Sequence, residues 1–435
     1  MKLEIGNFSV KDIQFGEETS FANGILTVNR EEAITEMNKE GMLKNIALYV
    51  ARPGDSTRIV PAKSTAAVRF RPDGRSAFPG YTGSTAMAGD GVTYAMNGMC
   101  VTAAGLHNRQ GMNGMIDMSG PGAELSPYSK LLNLVFVAEN ADPAEDIPAM
   151  DNVHFVKASC YLAEYLGRTL ENQEPEAWEI YEWDACQDNG LPRVAFFYQQ
   201  CNIPKWYDGT YYYGYELNGV PSTIVQPLEW LDGALTGDGG ALPGNGVRTT
   251  YSFLTAPIIK RLLQEHGKTI NLACTVLVGH VEPVDDKQRI ANAYVILAKT
   301  LGLDAVIEME SHCGNVDVDF MMTLGGLERE GIKTVGIFVE NVGRDGTNPG
   351  KTYADPAVDA LVSTGNTCQV YELPAMETVF GNLNSFKEDP NWGAWLSDPV
   401  RGPSLREDGS LIVDTHAFME HDGLLGTSVL TMKDF

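Results

Sequence analysis

An alternation of apolar strands with amphipathic helices, beginning near residue 191, most constrains how this chain can fold. The runs RVAFFYQQ, INLACTVLVGH, AVIEMES and KTVGIFVE alternate with helical patterns such as TTYSFLTAPIIKRLLQEHG and VDDKQRIANAYVILAKTLG. Strands that are apolar along nearly their whole length are typical of a parallel sheet covered by helices on both faces. The pattern therefore predicts a Rossmann-like α/β domain over residues 191–385.

The preceding part of the chain has a different pattern. Residues 1–190 contain short β-rich runs such as LEIGNFSV, KNIALYVAR and NLVFVAEN, separated by Gly, Pro and Asn turns, with few helical patterns. This predicts a β-rich α+β domain. Residues 386–435 read as a loop-rich extension that packs on the α/β domain. The expected fold class is thus α/β, with a β-rich domain before the Rossmann-like sheet.

Composition and charge exclude several classes of protein. The formal net charge of -25 disfavours nucleic acid and anionic membranes as partners. No apolar run approaches the roughly 18 to 20 residues that span a bilayer, and the first residues lack the apolar core of a signal peptide. The seven cysteines are scattered without a CxxC pair, as in proteins with reduced thiols. We expect a cytoplasmic protein.

The carboxyl ends of the predicted parallel strands carry the candidate site, because ligands of open parallel sheets bind there. Three polar runs end these strands, at residues 279–282, 310–315 and 340–346. The candidate catalytic residues are Glu310, His312, Cys313 and Asp345. Asn315 and Arg344 are candidates for substrate binding, and the planar guanidinium of Arg344 matches the two oxygens of a carboxylate.

The same runs permit a metal site. His280, Glu282, His312 and Cys313 have side chains that ligate Zn or Fe. They could instead perform acid–base or nucleophilic chemistry, or only cap helices and bond to loop backbone. No HExxH-type motif fixes their geometry, so all three interpretations stay open.

An aromatic run at residues 206–220, WYDGTYYYGYELNGV, holds five tyrosines and a tryptophan within ten positions. Aromatic faces attract cations and form cages for quaternary ammonium groups. Tyr211 and Tyr213 are therefore further candidates for substrate binding. The alternative is a β-ribbon that packs aromatic side chains at an interface.

A glycine-rich segment, GALTGDGGALPGNG at residues 233–246, does not match known phosphate loops. The third glycine of G-x-G-x-x-G is missing, and no G-K-[ST] follows. The segment is therefore expected to be a loop near the crevice rather than a phosphate site.

Several motifs together resemble one family. They are MKLEIGNFSVKDIQFGEET at the start, IDMSGPGAE at 116–124, LDGA at 231–234, GRDG at 343–346 and PAME at 374–377. In this order they resemble the proprotein-type chain of component B of the glycine, sarcosine and betaine reductases, to which a D-proline reductase chain is related. The resemblance spans nearly the whole sequence.

The resemblance implies reductive cleavage of a C–N bond of a small amine. In the family, component B works with a partner subunit whose selenocysteine or cysteine attacks the carbon that bears nitrogen. Glycine-specific members cleave themselves before a cysteine, which becomes a pyruvoyl group and forms a Schiff base with the substrate. The resemblance therefore implies a hetero-oligomer in amino acid metabolism.

The chain departs from the glycine-specific pattern at the cleavage point. Between residues 237 and 247 there is no cysteine, serine or threonine, and Gly239, Gly240 and Ala241 stand at the expected position. Self-cleavage by an acyl shift requires a side-chain nucleophile there. We therefore expect an intact chain without a pyruvoyl group. A quaternary ammonium cannot form a Schiff base and needs none, so an intact chain fits betaine or another fully substituted amine better than glycine. The expected substrate is betaine, sarcosine or a related substituted amine.

Two other functions remain open from the sequence. One is a metal-dependent enzyme on the same fold, with Zn or Fe, that cleaves a C–N or C–S bond. The other is a non-catalytic scaffold that holds the active partner.

Overall fold

Strands and helices run through the residues that the structure describes, which are 1–106, 114–142, 150–185, 189–200, 209–217, 222–237, 248–279, 281, 283–311, 314–343, 346–384 and 404–426. The strands of this computed structural model are β1 Lys2–Ser9, β2 Asp12–Phe15, β3 Ser20–Ala22, β4 Ile25–Val28, β5 Leu43–Ala51, β6 Thr57–Ala66, β7 Arg69–Phe70, β8 Gly91–Asn97, β9 Met99–Gly105, β10 Gly114–Asp117, β11 Leu132–Asn140, β12 Ala177–Glu182, β13 Arg193–Gln200, β14 Thr210–Tyr212, β15 Tyr215–Glu216, β16 Ser222–Val225, β17 Leu235–Gly237, β18 Asn271–Gly279, β19 Ala305–Met309, β20 Lys333–Glu340, β21 Leu361–Asn366, β22 Val370–Leu373, β23 Thr378–Gly381 and β24 Leu411–Asp414. The α-helices are α1 Arg30–Met37, α2 Met150–Gly167, α3 Pro227–Trp230, α4 Thr250–Thr255, α5 Pro257–Glu265, α6 Val284–Thr300 and α7 Asn315–Arg329. Short 3-10 helices cover Pro121–Glu124, Pro127–Lys130, Arg168–Leu170 and Thr415–Ala417.

The second half of the chain builds a mostly parallel sheet in the order β16-β18-β13-β19-β20-β21. Neighbours from β18 to β21 are parallel, and β16 is an antiparallel edge strand. Counted along the chain, the parallel strands lie in the spatial order second, first, third, fourth, fifth. This is a flavodoxin-like order, so the predicted parallel α/β sheet is present while its strand order differs from that of a Rossmann sheet.

Helices cover both faces of this sheet. Phe196 and Tyr198 of β13 share one buried cluster with Ile259 of α5. Phe197 points to the opposite face, where it packs in a cluster with Tyr294 of α6. Because side chains alternate between the faces of a strand, near-continuous burial of β13 requires cover on both sides.

The predicted helix TTYSFLTAPIIKRLLQEHG is two helices. α4 ends at Thr255 and α5 begins at Pro257, with Ala256 between them at φ -38° and ψ 102°. Proline lacks a backbone N–H and disfavours helical conformation in the residue before it, so it starts a helix more readily than it continues one. The prediction of one continuous helix was therefore wrong at Pro257.

The first half of the chain is rich in β-structure, as its pattern predicts. One sheet has the order β12-β1-β8-β7, and a second has the order β10-β6-β9-β11-β5, with β23 also paired to β6. Helix α2 packs against this second sheet, where Phe155 of the helix stacks on Phe136 of β11 with ring centroids 6.2 Å apart. The small sheet β2-β4-β3 completes this half.

The described residues after β21 contact both halves of the molecule. β23 pairs in parallel with β6, and Phe418 forms a β-bridge with Met115. Leu424 and Leu425 instead pack in the core of the parallel sheet. Among the described helices, none is long and apolar enough to cross a membrane.

Candidate functional site

The carboxyl edge of the parallel sheet is organised by Gln199, near the end of β13. Its buried side-chain amide donates to the carbonyl of Val316 at 3.1 Å and accepts from the backbone N–H of Ser311 at 3.0 Å. One side chain thus ties both ends of the turn between β19 and α7 to the central strand. β13 and β19 flank the point at which the strand order reverses, which is where ligands of such sheets bind.

Helix α7 begins on this turn with its own cap. Gly314 has φ +91°, a backbone conformation that favours glycine. The carboxylate of Asp317 accepts from the N–H of Gly314 at 3.0 Å and from the N–H of Thr352 at 2.6 Å. A carboxylate in the first turn also interacts favourably with the positive end of the helix dipole.

Glu310 directly follows β19 and is fully buried. The ammonium of Lys351 bonds to its carboxylate, lies 3.2 Å from Asp317 and 3.3 Å from the carbonyl of Val339, and sits 4.4 Å from the ring centroid of Phe338. The other oxygen of Glu310, Oε1, has no hydrogen-bond partner among the described residues. Burial raises the pKa of Glu310 well above its usual range, although Lys351 opposes this shift.

A second group of buried charges lies beneath α6 and α7. Lys287 bonds to the carboxylate of Asp319 and donates to the carbonyl of Asn315 at 3.2 Å. Glu308, two residues before Glu310, is fully buried, and neither carboxylate oxygen has a partner within the described ranges. Burial, helped by the charge of Asp319, raises the pKa of Glu308 well above its usual range. We call Lys287, Glu308, Glu310, Asp317, Asp319 and Lys351 the edge cluster.

Gln200 ends β13 and contrasts with Gln199. It is buried, but neither its amide nitrogen nor its oxygen has a partner in the part of the chain that the structure describes. Buried polar groups are nearly always hydrogen-bonded in folded proteins. An unbonded amide at a ligand-binding edge is therefore a candidate ligand contact.

The glycine-rich segment starts and ends at one place. The hydroxyl of Thr250 accepts from the N–H of Gly237 at 3.2 Å and donates to the Gly237 carbonyl at 3.3 Å. A Cβ at Gly237 would lie 1.9 Å from the carbonyl oxygen of Arg248, so the backbones approach too closely for another residue. Residues 238–247 between these two ends lie outside the described residues.

Buried polar side chains hold the second end of that segment. Arg248 makes a two-pronged ion pair with Asp422, with N–O distances of 2.5 and 2.7 Å. The hydroxyl of Tyr128 donates to Glu420 at 2.8 Å, and Ser252 donates to the other oxygen of the same carboxylate. We call these five residues the paired cluster, because each of its four carboxylate oxygens has a donor.

Most of the predicted site residues fall outside the described part of the chain. These are His280, Glu282, His312, Cys313, Arg344 and Asp345. Glu310 and Asn315 are described and lie on the same turn, where Glu310 is buried and the side chain of Asn315 is exposed. In the described residues no group of three or more His, Cys, Asp or Glu side chains is arranged to hold a metal ion.

Tyr211 lies on β14 of a different sheet, β15-β14-β17, and Tyr213 lies in the turn between β14 and β15. Tyr211 is buried in the core of the first half, with its ring centroid 5.9 Å from that of Tyr81. Tyr213 donates to the carboxylate of Glu229 at 2.5 Å and accepts from the N–H of Ala88 at 2.9 Å. These contacts do not join the tyrosines to Glu310, and β14 pairs with β17 beside Gly237.

The sequence pattern did not single out Lys351, Gln199 or Gln200. For the glutamines the signal was available, since RVAFFYQQ ends an apolar strand with two amides at the edge where ligands bind. Lys351 comes from an irregular segment after β20. Its contact with Glu310 spans 41 residues, and no local pattern predicts it.

Comparison with known proteins decides the family. The family model "Glycine/sarcosine/betaine reductase component B subunits" matches residues 1–433. The chain belongs to this family. The betaine reductase complex component B subunit alpha of Peptoclostridium acidaminophilum is 37% identical over 443 residues, which cover 100% of both chains. No solved structure matches.

The names of other component B relatives differ in the number of subunits that they assign to one sequence. The "Glycine reductase complex component B subunits alpha and beta" of Acetoanaerobium sticklandii is 33% identical, with 100% of both chains covered. The sarcosine reductase complex component B subunit alpha of Peptoclostridium acidaminophilum is 33% identical, over 88% of this chain and 90% of its own. The glycine reductase name thus assigns two subunits to a sequence that aligns over the full length of this chain, whereas the betaine and sarcosine names assign one.

Proposed function

We propose that this chain is the substrate-binding, alpha-type subunit of a component B reductase. It takes part in reductive cleavage of a C–N bond of betaine, sarcosine or a related substituted amine. A partner subunit supplies the selenocysteine or cysteine that attacks the carbon, so the working form is a hetero-oligomer. The proposal is supported by similarity over the full length of the betaine reductase relative.

The observation that carries the choice of substrate is the composition of residues 238–247, DGGALPGNGV. This segment has no thiol or hydroxyl with which the chain could cleave itself, so we propose an unprocessed subunit without a pyruvoyl group. A fully substituted ammonium cannot form a Schiff base and is already a competent leaving group. An unprocessed subunit therefore suits such a substrate.

The proposed roles follow the chemistry of the side chains. Arg344 would hold the substrate carboxylate, and Asn315, Tyr211 and Tyr213 would contribute to binding. Glu310, His312, Cys313 and Asp345 would act on or near the reacting carbon and nitrogen.

The first test is the mass of the purified chain. We expect one polypeptide of about 47.4 kDa in denaturing mass spectrometry. Two fragments that break between residues 237 and 248 would contradict the proposal of an unprocessed subunit.

The second test is calorimetric titration of the purified chain with trimethylglycine. We expect binding that Arg344→Ala weakens by about 10-fold or more, because a carboxylate loses a two-pronged partner. Arg261→Ala is the matched control, since the Arg261 side chain is 72% exposed and pairs with Glu265 on its own helix. Equal affinity in the two variants would refute the role of Arg344.

A further inference from the structure

We propose that the unpartnered Oε1 oxygen of Glu310 receives the cationic end of the substrate. This inference rests on the proposed function and assigns one end of the substrate to one atom of the carboxyl edge. It makes Glu310 the residue that selects a positively charged nitrogen over a neutral group of the same shape.

The first support is the local balance of charge. Glu310 and Asp317 are two buried carboxylates, and Lys351 is the ammonium that pairs with both. When all three are ionised, one negative charge lacks a counter-charge among the described residues. A buried carboxylate without full compensation is costly, as the raised pKa of Glu310 reflects, and a bound cation stabilises its ionised form.

The second support is the free oxygen itself. Lys351 bonds to Oε2 of Glu310 and leaves Oε1 without a partner in the described residues, although the side chain is fully buried. The Asp317 carboxylate, in contrast, has each oxygen bonded to a backbone N–H, from Gly314 or from Thr352. Of these two carboxylates, Glu310 therefore has an oxygen whose charge no donor of the described chain compensates, and a quaternary ammonium can compensate it by charge without an N–H bond.

The third support is the position of Glu310. It follows β19 directly, and its N–H donates to the carbonyl of Ile337 on the neighbouring strand at 2.9 Å. This places it at the carboxyl end of two adjacent parallel strands, beside the reversal of strand order where ligands bind. Glu308 has unpartnered oxygens among the described residues too. It lies within β19, opposite Gly336 of β20, and is therefore two residues further from that edge than Glu310.

A pair of ligands with the same shape tests the role of charge. Trimethylglycine carries a quaternary nitrogen, and 3,3-dimethylbutanoate has carbon in its place with no positive charge. We expect wild-type protein to bind trimethylglycine about 10-fold or more tightly than the carbon analogue, because only the cation compensates Glu310. In Glu310→Gln this preference should fall to within about 2-fold, with the affinity for the carbon analogue unchanged.

Glu308→Gln is the matched control, since it makes the same change on the same strand at a site of equal burial. It should keep the wild-type preference. Glu310→Asp retains the charge and should keep a preference for the cation, which serves as a second variant if Glu310→Gln does not fold. Thermal unfolding of each variant checks its fold.

The outcomes separate the two proposals. If wild-type protein binds neither ligand, the proposed substrate class is wrong and this inference is wrong with it. If it prefers trimethylglycine and Glu310→Gln keeps that preference, the proposed substrate stands and the role of Glu310 is refuted.

Discussion

Two groups of buried charges in this molecule differ in whether their carboxylate oxygens are hydrogen-bonded. In the paired cluster, each of the four oxygens of Asp422 and Glu420 accepts a hydrogen bond from Arg248, Tyr128 or Ser252. In the edge cluster, both oxygens of Glu308 and one oxygen each of Glu310 and Asp319 have no partner among the described residues. Unpaired buried polar groups cost free energy that complete networks avoid. The difference indicates that the paired cluster maintains the fold, while Glu310 in the edge cluster has capacity for a ligand.

Breaking the paired cluster should have the largest effect on stability. Arg248→Met leaves Asp422 buried without its counter-charge, so we expect the free energy of unfolding to fall by about 3–5 kcal/mol in urea denaturation at pH 7. Lys260→Met is the control, because Lys260 and its partner Glu179 are partly exposed. That change should cost less than about 1 kcal/mol.

The pH dependence of the Arg248→Met deficit sharpens this prediction. Burial alone would raise the pKa of Asp422, but the charge and hydrogen bonds of Arg248 outweigh it and the pKa is lowered. A lowered pKa stabilises the fold above the unfolded-state value, and that stability is lost as the pH falls through the folded-state value. The loss of free energy of unfolding caused by Arg248→Met should therefore become smaller below about pH 4. A deficit that is constant with pH would show that lost packing, not charge, is responsible.

Glu308 should show the opposite dependence on pH. Its raised pKa means that the folded protein keeps a proton that the unfolded chain releases above about pH 4.3. Stability then decreases as the pH rises from that value toward the folded-state pKa, by up to about 1.4 kcal/mol per pH unit. Glu308→Gln removes this titration, so the variant should become progressively more stable than wild type as the pH rises above the unfolded-state pKa in parallel urea titrations.

Glu179→Gln is the control for the sign of this effect. Burial would raise the pKa of Glu179, but its bonds to Lys260 and Tyr181 lower it. Removing this carboxylate should therefore make the protein less stable than wild type, by an amount that grows as the pH rises toward the unfolded-state pKa and is constant above it. If Glu308→Gln behaved in the same way, Glu308 would be an ionised and compensated side chain.

The parts of this picture that the sequence predicts are those encoded by local patterns. β13, β18, β19 and β20 are apolar runs bounded by turns, and their carboxyl ends are where Glu310 and Asn315 lie. The break at Pro257 was missed because the helical periodicity of apolar residues continues across it, although proline chemistry forbids a continuous helix.

The pairings of buried charges were not predictable from local patterns. Arg248 and Asp422 are 174 residues apart, and Tyr128 and Glu420 are 292 apart. Nothing in the neighbourhood of Arg248 distinguishes it from an exposed arginine, because its burial depends on a C-terminal segment that folds back across both halves. The same holds for Lys351, whose partners lie on β19 and α7.

The smallest effects on stability should come from the two adjacent glutamines at the end of β13. One of them is hydrogen-bonded and the other has no hydrogen bond within the described residues, so they repeat the comparison of the two clusters with a single type of side chain. Gln199→Met removes two hydrogen bonds and leaves the N–H of Ser311 and the carbonyl of Val316 without that partner, so we expect a loss of about 1–3 kcal/mol. Gln200→Met is similar in size but removes no bond seen among the described residues, so its free energy of unfolding should stay within about 0.5 kcal/mol of wild type or rise. Urea denaturation of both variants without ligand measures the difference. If Gln200→Met lost as much stability as Gln199→Met, the Gln200 amide would be bonded within the folded chain, and an unbonded amide could no longer mark the carboxyl edge as a place for a ligand.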